Sequence, residues 1–189
     1  MSSTTSANNS EYAVLVPIVT TEDGEALLME VRSEKVRQPG EICFPGGRIE
    51  PGETPAETAV RETCEELGLC PDVITVEGEP GLEMMSDGRK IWTIRARLGI
   101  SDLGDIKLSE DEVSEVFLLP VEWLRDTPPR SFDLGRLSDE ELPEKLAEYL
   151  THYSGFRIAG KTDYWEYDGH GIWGLTARII RIKLYHRYT

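Results

Sequence analysis

The chain has 189 residues, enough for one domain with a sizeable core. Lys and Arg total 20 against 35 Asp and Glu, a formal net charge of −15. That balance argues against a nucleic-acid backbone or an anionic membrane as partner, and less against a small phosphorylated substrate, because bound metals invert the local field.

Met1–Ser10 is polar, without the basic start and apolar core of a signal peptide, and reads as a disordered lead-in to a single domain over 11–189. No apolar run is long enough to span a bilayer. Tyr12–Thr20 is apolar and β-branched and predicts a strand; Glu22–Glu25 is a turn and Ala26–Val31 the returning strand. Arg32–Gly40 is a polar loop with Arg32, Lys35 and Arg37, and Ile42–Pro45 leads into a Gly46-Gly47 turn.

A helix follows. Thr54 suits its N-cap, Pro55 its first position, Glu57 a capping box and Gly68 its end. Ala56, Val60, Thr63 and Leu67 recur at helical spacing and predict the buried stripe. Glu62, Glu65 and Glu66 stand at i, i+3 and i+4 and so share the opposite face. Carboxylates gathered near a helix C-terminus repel one another and meet an unfavourable dipole. They are the oxygen ligands that Mg2+ takes, which completes its shell with water and substrate phosphate.

Beyond the helix, Val73–Val76 and Ile91–Leu98 predict strands, the latter after an Asp87-Gly88 turn. Ser101–Glu112 is an acidic loop, Val113–Leu119 a strand ending at Pro120, and Val121–Leu124 a short helical turn broken by Pro128-Pro129. Ser138–Leu150 predicts a second helix with a Ser138–Glu141 capping box. Arg157–Ile158 and Tyr164–Tyr167 read as strands around an Asp168-Gly169 turn. Ile172–Leu184 predicts a last helix with Leu175, Ile179, Ile182 and Tyr185 inward. Trp173 is either core packing or a stacking surface for adenine. Cys43, Cys64 and Cys70 form no CxxC pair, and His152, His170 and His186 have no recognisable spacing to Cys64. Reduced thiols and a cytoplasmic location are therefore expected. Strands outnumber helices, which predicts an α+β sandwich with helices on both faces of a mixed sheet.

Gly47, five residues, Glu53, seven residues, then Arg61–Leu69 (RETCEELGL) resembles the Nudix box, a motif of 23 residues; Thr63 stands where the family usually has an aliphatic residue or alanine. The resemblance implies a Nudix-type α/β/α sandwich and hydrolysis of a diphosphate linkage in a nucleoside diphosphate derivative, an acid-anhydride reaction. It implies that Glu62, Glu65, Glu66 and the Gly46 carbonyl bind Mg2+ or Mn2+, and that Glu53 and Arg61 form an ion pair fixing the loop to the helix. Leu27-Leu28, Arg37–Gly47 and Ile172–Ala177 are similar to segments of the coenzyme A pyrophosphatase branch, although Arg37 stands two residues from Gly40 where that branch has three.

That branch implies coenzyme A or acyl-coenzyme A as substrate. Arg32, Arg37, Gly46, Gly47 and Arg48 would be substrate contacts, and Arg32, Lys35 and Arg37 form either a basic lip for its phosphates or a solvated loop. The attacking water needs a carboxylate base. Glu112 is chosen because it begins Glu-Val-Ser-Glu-Val, a run that resembles the stretch where many Nudix proteins place this residue, with Glu110, Asp111, Glu115 or Glu62 as alternatives. Two other readings stay open: a Nudix enzyme for ADP-ribose or a nucleoside triphosphate, and a non-catalytic nucleotide sensor. The expected partner is a small nucleotide, and pairing with a second copy is left open.

Overall fold

The computed structural model describes residues 10–85, 87–100, 102–136, 142–153 and 160–183. The predicted lead-in, except Ser10, lies outside them, as do Ser138, Glu141, Arg157–Ile158 and Tyr185. Ser10 itself is buried, and its carbonyl accepts from the Lys90 N–H at 3.3 Å, so it belongs to the fold rather than to a lead-in.

Two long strands, β1 (Glu11–Thr21) and β2 (Gly24–Arg32), pair antiparallel around a tight turn. β1 is central and alternates. Ala13, Leu15 and Val19 face one side, and Val16 and Ile18 the other. Its far neighbour β7 (Lys90–Leu98) runs parallel to it, from Glu11↔Lys90 to Val19↔Leu98. β3 (Ile42–Cys43) and β8 (Val113–Pro120) pair with β2, while β5 (Ile74–Val76) and β6 (Gly81–Met84) pair with β7. With β4 (Gly46–Arg48) on β1 these make a mixed sheet of eight strands.

Helix α1 (Pro55–Leu67) covers one face, over Ala13, Leu15, Leu28, Ile94 and Leu98. Its N-terminus has the capping box, Thr54 Oγ1 accepting from Glu57 N–H while Glu57 accepts from Thr54 N–H, and Gly68 closes it in the left-handed conformation. The opposite face is covered by α2 (Val121–Asp126), α4 (Gly174–Lys183) and a second sheet of β9 (Arg130–Asp133), β10 (Lys161–Tyr167) and β11 (His170–Trp173). The expected α+β layering holds, with a small sheet added to the second layer.

Several expectations change. The Gly46-Gly47 turn is a strand, β4, held between β1 and α1. The second long helix is shorter: α3 spans Glu144–Leu150, starting after Pro143, whose ring disfavours helix in the residue before it. The last helix starts at Gly174, not Ile172, because Asp168 and Gly169, both at positive φ, turn the chain back so that His170–Trp173 pairs with β10. Within α4, Ile179 is buried and Leu175 half-buried as expected, but Ile182 is 39% exposed and Ile180 is buried in its place. On α1, Ala56 and Val60 are only half-buried, while Thr58, Ala59 and Glu66 are buried with Thr63 and Leu67.

Candidate active site

The site forms where β4 crosses the C-terminal half of α1. The Gly46 backbone lies so close to β1 that a Cβ there would sit 2.3 Å from the Ala13 carbonyl, and its φ of +150 excludes most side chains. At Gly47 a Cβ would sit 2.3 Å from the Glu62 carboxylate. The two glycines therefore let the strand lie directly against the carboxylates of α1.

Glu66 does not share a polar face with Glu62 and Glu65. It is turned inward, 9% exposed, and its Oε2 accepts the Gly46 N–H at 2.9 Å. Burial is the main force pushing its pKa up to about 8; the Gly46 N–H opposes this, and the charges of Glu62 and Glu112 add to it. Glu62 is half-buried, and burial raises its pKa against the pull of Arg61. Glu65 is exposed and turned to Arg61.

Arg61 organises the outer edge. Its Nε and Nη2 donate to the two Glu53 oxygens at 2.7 and 3.0 Å, and Nη2 reaches the Arg48 carbonyl at 3.4 Å. This fork holds the Glu53 carboxyl down at about 2. Nη1 stands 3.0 Å from both Glu62 Oε1 and Glu65 Oε2.

The basic loop is divided among different tasks. Lys35 pairs with Asp111 at 2.6 Å. Arg37 is exposed; its carbonyl, not its guanidinium, holds Arg32, accepting from Nε at 2.8 Å. Arg32 Nη1 stands 3.9 Å from Cys43 Sγ, and its charge acts on Glu30, Glu41 and Glu66. Arg48 is exposed. Glu112 is exposed too, in a loop fixed by its N–H to the Ser109 carbonyl and by the Ser33 N–H to its own carbonyl, both near 2.8–2.9 Å. Its charge is felt at Glu62 and Glu66. Glu115 is turned instead toward His170, at 3.5 Å.

The donor set suits a hard divalent cation: carboxylate oxygens against a strand that no side chain obstructs. Among the described residues, no three His, Cys, Asp or Glu side chains enclose an ion as they stand, since Arg61 draws Glu65 outward. Two buried carboxylate oxygens among the described residues, Glu30 Oε1 and Glu41 Oε1, have no hydrogen-bond partner.

Sequence reasoning missed Glu30 and Glu41. Glu30 breaks the apolar run Ala26–Val31 and keeps Leu28's side of the strand, the α1 side, a signal readable from alternation. Glu41 is buried beside Tyr153, which donates to it at 3.2 Å, and His152, at 3.7 Å. Burial pushes its pKa up to about 7. Trp173 is packed among Phe132, Leu146, Tyr149 and Tyr164, so its role is in the core. The three cysteines are free.

The sequence model described as "NUDIX domain" matches residues 10–138. Nudix hydrolase 3 of Caenorhabditis elegans is 38% identical over 61% of this chain and 50% of its own length. The mitochondrial coenzyme A diphosphatase NUDT8 of Homo sapiens is 30% identical over 94% of this chain and 70% of its own. The chain thus spans half of one curated relative and more than two thirds of the other. The crystal structure of a Nudix hydrolase from M. smegmatis, RenU, superposes with a TM-score of 0.53 at 20% identity, covering 61% of this chain and 73% of that one, a likeness of fold. No helix among the described residues is long and apolar enough to cross a membrane. A match covering well over half of the chain, and containing both the glycine strand and the carboxylate helix, makes this protein a member of the NUDIX domain family.

Proposed function

We propose that the chain is a metal-dependent hydrolase of the diphosphate linkage in coenzyme A or acyl-coenzyme A, releasing 3′,5′-ADP and a phosphopantetheine. The observation that carries the hydrolytic reading is the seating of Glu62 and Glu66 against the side-chain-free Gly46–Gly47 strand. Nudix hydrolases generally need a divalent ion, and in this reading Glu62, Glu65, Glu66 and the Gly46 carbonyl hold Mg2+ or Mn2+. The coenzyme A reading is supported by a relative named as a coenzyme A diphosphatase that aligns over 94% of the chain, and by the Arg37–Gly47 and Ile172–Ala177 segments.

When bound, the cation polarises the phosphoryl oxygens and lowers the pKa of the attacking water. Glu112 takes that water's proton. Among the acidic-loop candidates its charge reaches Glu62 and Glu66, whereas Asp111 is held by Lys35 and Glu115 faces His170. Arg61, bonded to Glu53, keeps the β4–α1 junction in register while holding the outer oxygens of Glu62. Arg32 offers positive charge beside the diphosphate, Gly47 and Arg48 line its path, and Arg37, exposed at the rim, meets the 3′-phosphate. The free cysteines support a reducing, cytoplasmic setting, although the human relative is named as mitochondrial.

The second reading, ADP-ribose as substrate, is favoured by the two-residue Arg37–Gly40 spacing and by the use of Arg37's carbonyl to hold Arg32. A panel of coenzyme A, 3′-dephospho-coenzyme A and ADP-ribose with Mg2+ or Mn2+, products separated by chromatography, decides between them. Coenzyme A is expected to have the highest kcat/KM, and a chelator to abolish turnover. Hydrolysis of ADP-ribose at least as fast as of coenzyme A refutes the coenzyme A reading.

A further inference from the structure

Beneath Glu66 lies a carboxylate that the reaction described above does not use. Glu30 sits toward the C-terminal end of β2, flanked by Cys43 on β3 and Val116 on β8, and is 1% exposed. Strand alternation puts its side chain on the face of Leu28, toward α1. Its Oε2 has the Cys43 thiol at 3.8 Å, and its Oε1 has no partner. The charges that act on it are those of Glu66 on α1, Arg32 on its own strand and Glu112 in the acidic loop.

A carboxylate so placed is costly. A buried polar oxygen left without a partner carries its full desolvation penalty, larger still if it is charged. Arg32 offsets only part of this, since its Nε is committed to the Arg37 carbonyl and Nη1 faces Cys43. A Met or Leu in this position would extend the apolar run Ala26–Met29 without penalty. What an orphaned interior oxygen facing two further carboxylates lacks is a cation.

We infer that Glu30 is an additional, interior ligand of the divalent-cation site, closing it from beneath while Glu62 and Glu66 close it from α1. The inference rests on the reading of Glu62 and Glu66 as cation ligands. Glu30 adds an interior carboxylate to a set whose outer member, Glu65, stands turned to Arg61. It lies on a central strand of the sheet rather than on a helix end or loop, so it sets the depth at which the ion sits.

Mn2+ alone, titrated into the full chain and followed by calorimetry, tests this without substrate or turnover. Glu30→Gln keeps the shape of the side chain and removes the charge, and Glu30→Met fills the same space with no polar atom. Both are expected to weaken Mn2+ binding at least about tenfold, the lower end of what losing even an outer support of a metal site costs. Both should also raise the melting temperature of the metal-free protein while shrinking the rise on adding Mn2+. Glu66→Gln is measured in parallel. If it weakens Mn2+ binding and the Glu30 variants bind as tightly as the parent, Glu30 is no ligand and the inference falls alone. If neither Glu66→Gln nor the Glu30 variants alter Mn2+ binding, the cation site itself is misplaced and both readings fall.

Discussion

Replacing Gly47 by alanine tests how the strand and helix make the site. The added Cβ would lie 2.3 Å from Glu62 Cδ and Oε1 and 2.6 Å from Oε2, well inside contact distance. Gly47 does not have a positive φ, so alanine strains no backbone. What must move is the end of a flexible side chain. Glu62 therefore swings away and loses its 3.0 Å contact with Arg61, a partly exposed ion pair worth no more than about 1 kcal/mol. The loss of chain entropy in the unfolded state returns about 0.4–1 kcal/mol. Net stability should change by less than about 1 kcal/mol on these two terms. Catalysis should not be spared, because displacing a reacting group by about 1 Å can cost on the order of 100-fold. A urea melt together with kcat/KM for coenzyme A separates the two effects. Gly46→Ala is the contrast: its Cβ would meet the Ala13 carbonyl and Val14 Cα, which are backbone atoms, at a φ of +150. That variant should lose roughly 1–3 kcal/mol from backbone strain and as much again from overpacking. A Gly47→Ala protein with kcat/KM within threefold of the parent would refute the claim that Glu62 must rest on bare backbone.

Glu41 has its pKa raised to about 7 by burial, so folding favours its protonated form. The stability it contributes is present below the unfolded value of 4.5 and is lost as pH rises through about 7, a change of roughly 3 kcal/mol. Urea melts between pH 4.5 and 8 should show that slope removed in Glu41→Gln relative to the parent; parallel profiles would count against it. Glu112→Gln should lower kcat by about 100-fold or more, the usual contribution of a general base, while Glu115→Gln stays near parent activity. Equal losses in the two would remove Glu112 from the base role. Arg61→Lys keeps the charge but cannot fork onto both Glu53 oxygens, so it should lower kcat/KM without changing which substrate is preferred. Full activity in this variant would show that the fork is dispensable.

Local signals carried much of the fold. Thr54, Pro55, Glu57 and Gly68 announce α1 because capping acts over three or four residues, and the structure has each in its cap. Tyr12–Thr20, Ala26–Val31 and Ile91–Leu98 are legible because strands this long and apolar fit a central sheet. β6 and β9 were not, since four-residue strands show too little pattern to stand out from loop. β11 was absorbed into the following helix because Ile172-Trp173 is apolar in either period, and only the pairing with β10 decides. In the site, the spacing of the glutamates was readable but the direction of Glu66 was not. Helical geometry alone puts it with Glu62 and Glu65, and it is the Gly46 N–H that holds its carboxylate indoors. Glu41's partners lie more than a hundred residues away in sequence, beyond the reach of local pattern.

The short strand β3, which delivers the chain to Gly46, is gripped from very late in the sequence. The Thr176 hydroxyl donates to the Ile42 carbonyl at 3.0 Å, a bond spanning 134 residues, and Tyr153 holds both Gln38 and Glu41. These grips come from outside residues 10–138, the span that defines family membership. Contacts so distant in sequence form late, because their loop-closure entropy must be met before they reward the chain. As the protein emerges from a ribosome, β1, β2 and α1 can assemble from early residues, with the glutamates already on their helix. The approach to the glycine strand has to wait for α4. Until Tyr153 and Thr176 join the fold, the carboxylates of α1 have no finished seat against the glycine strand.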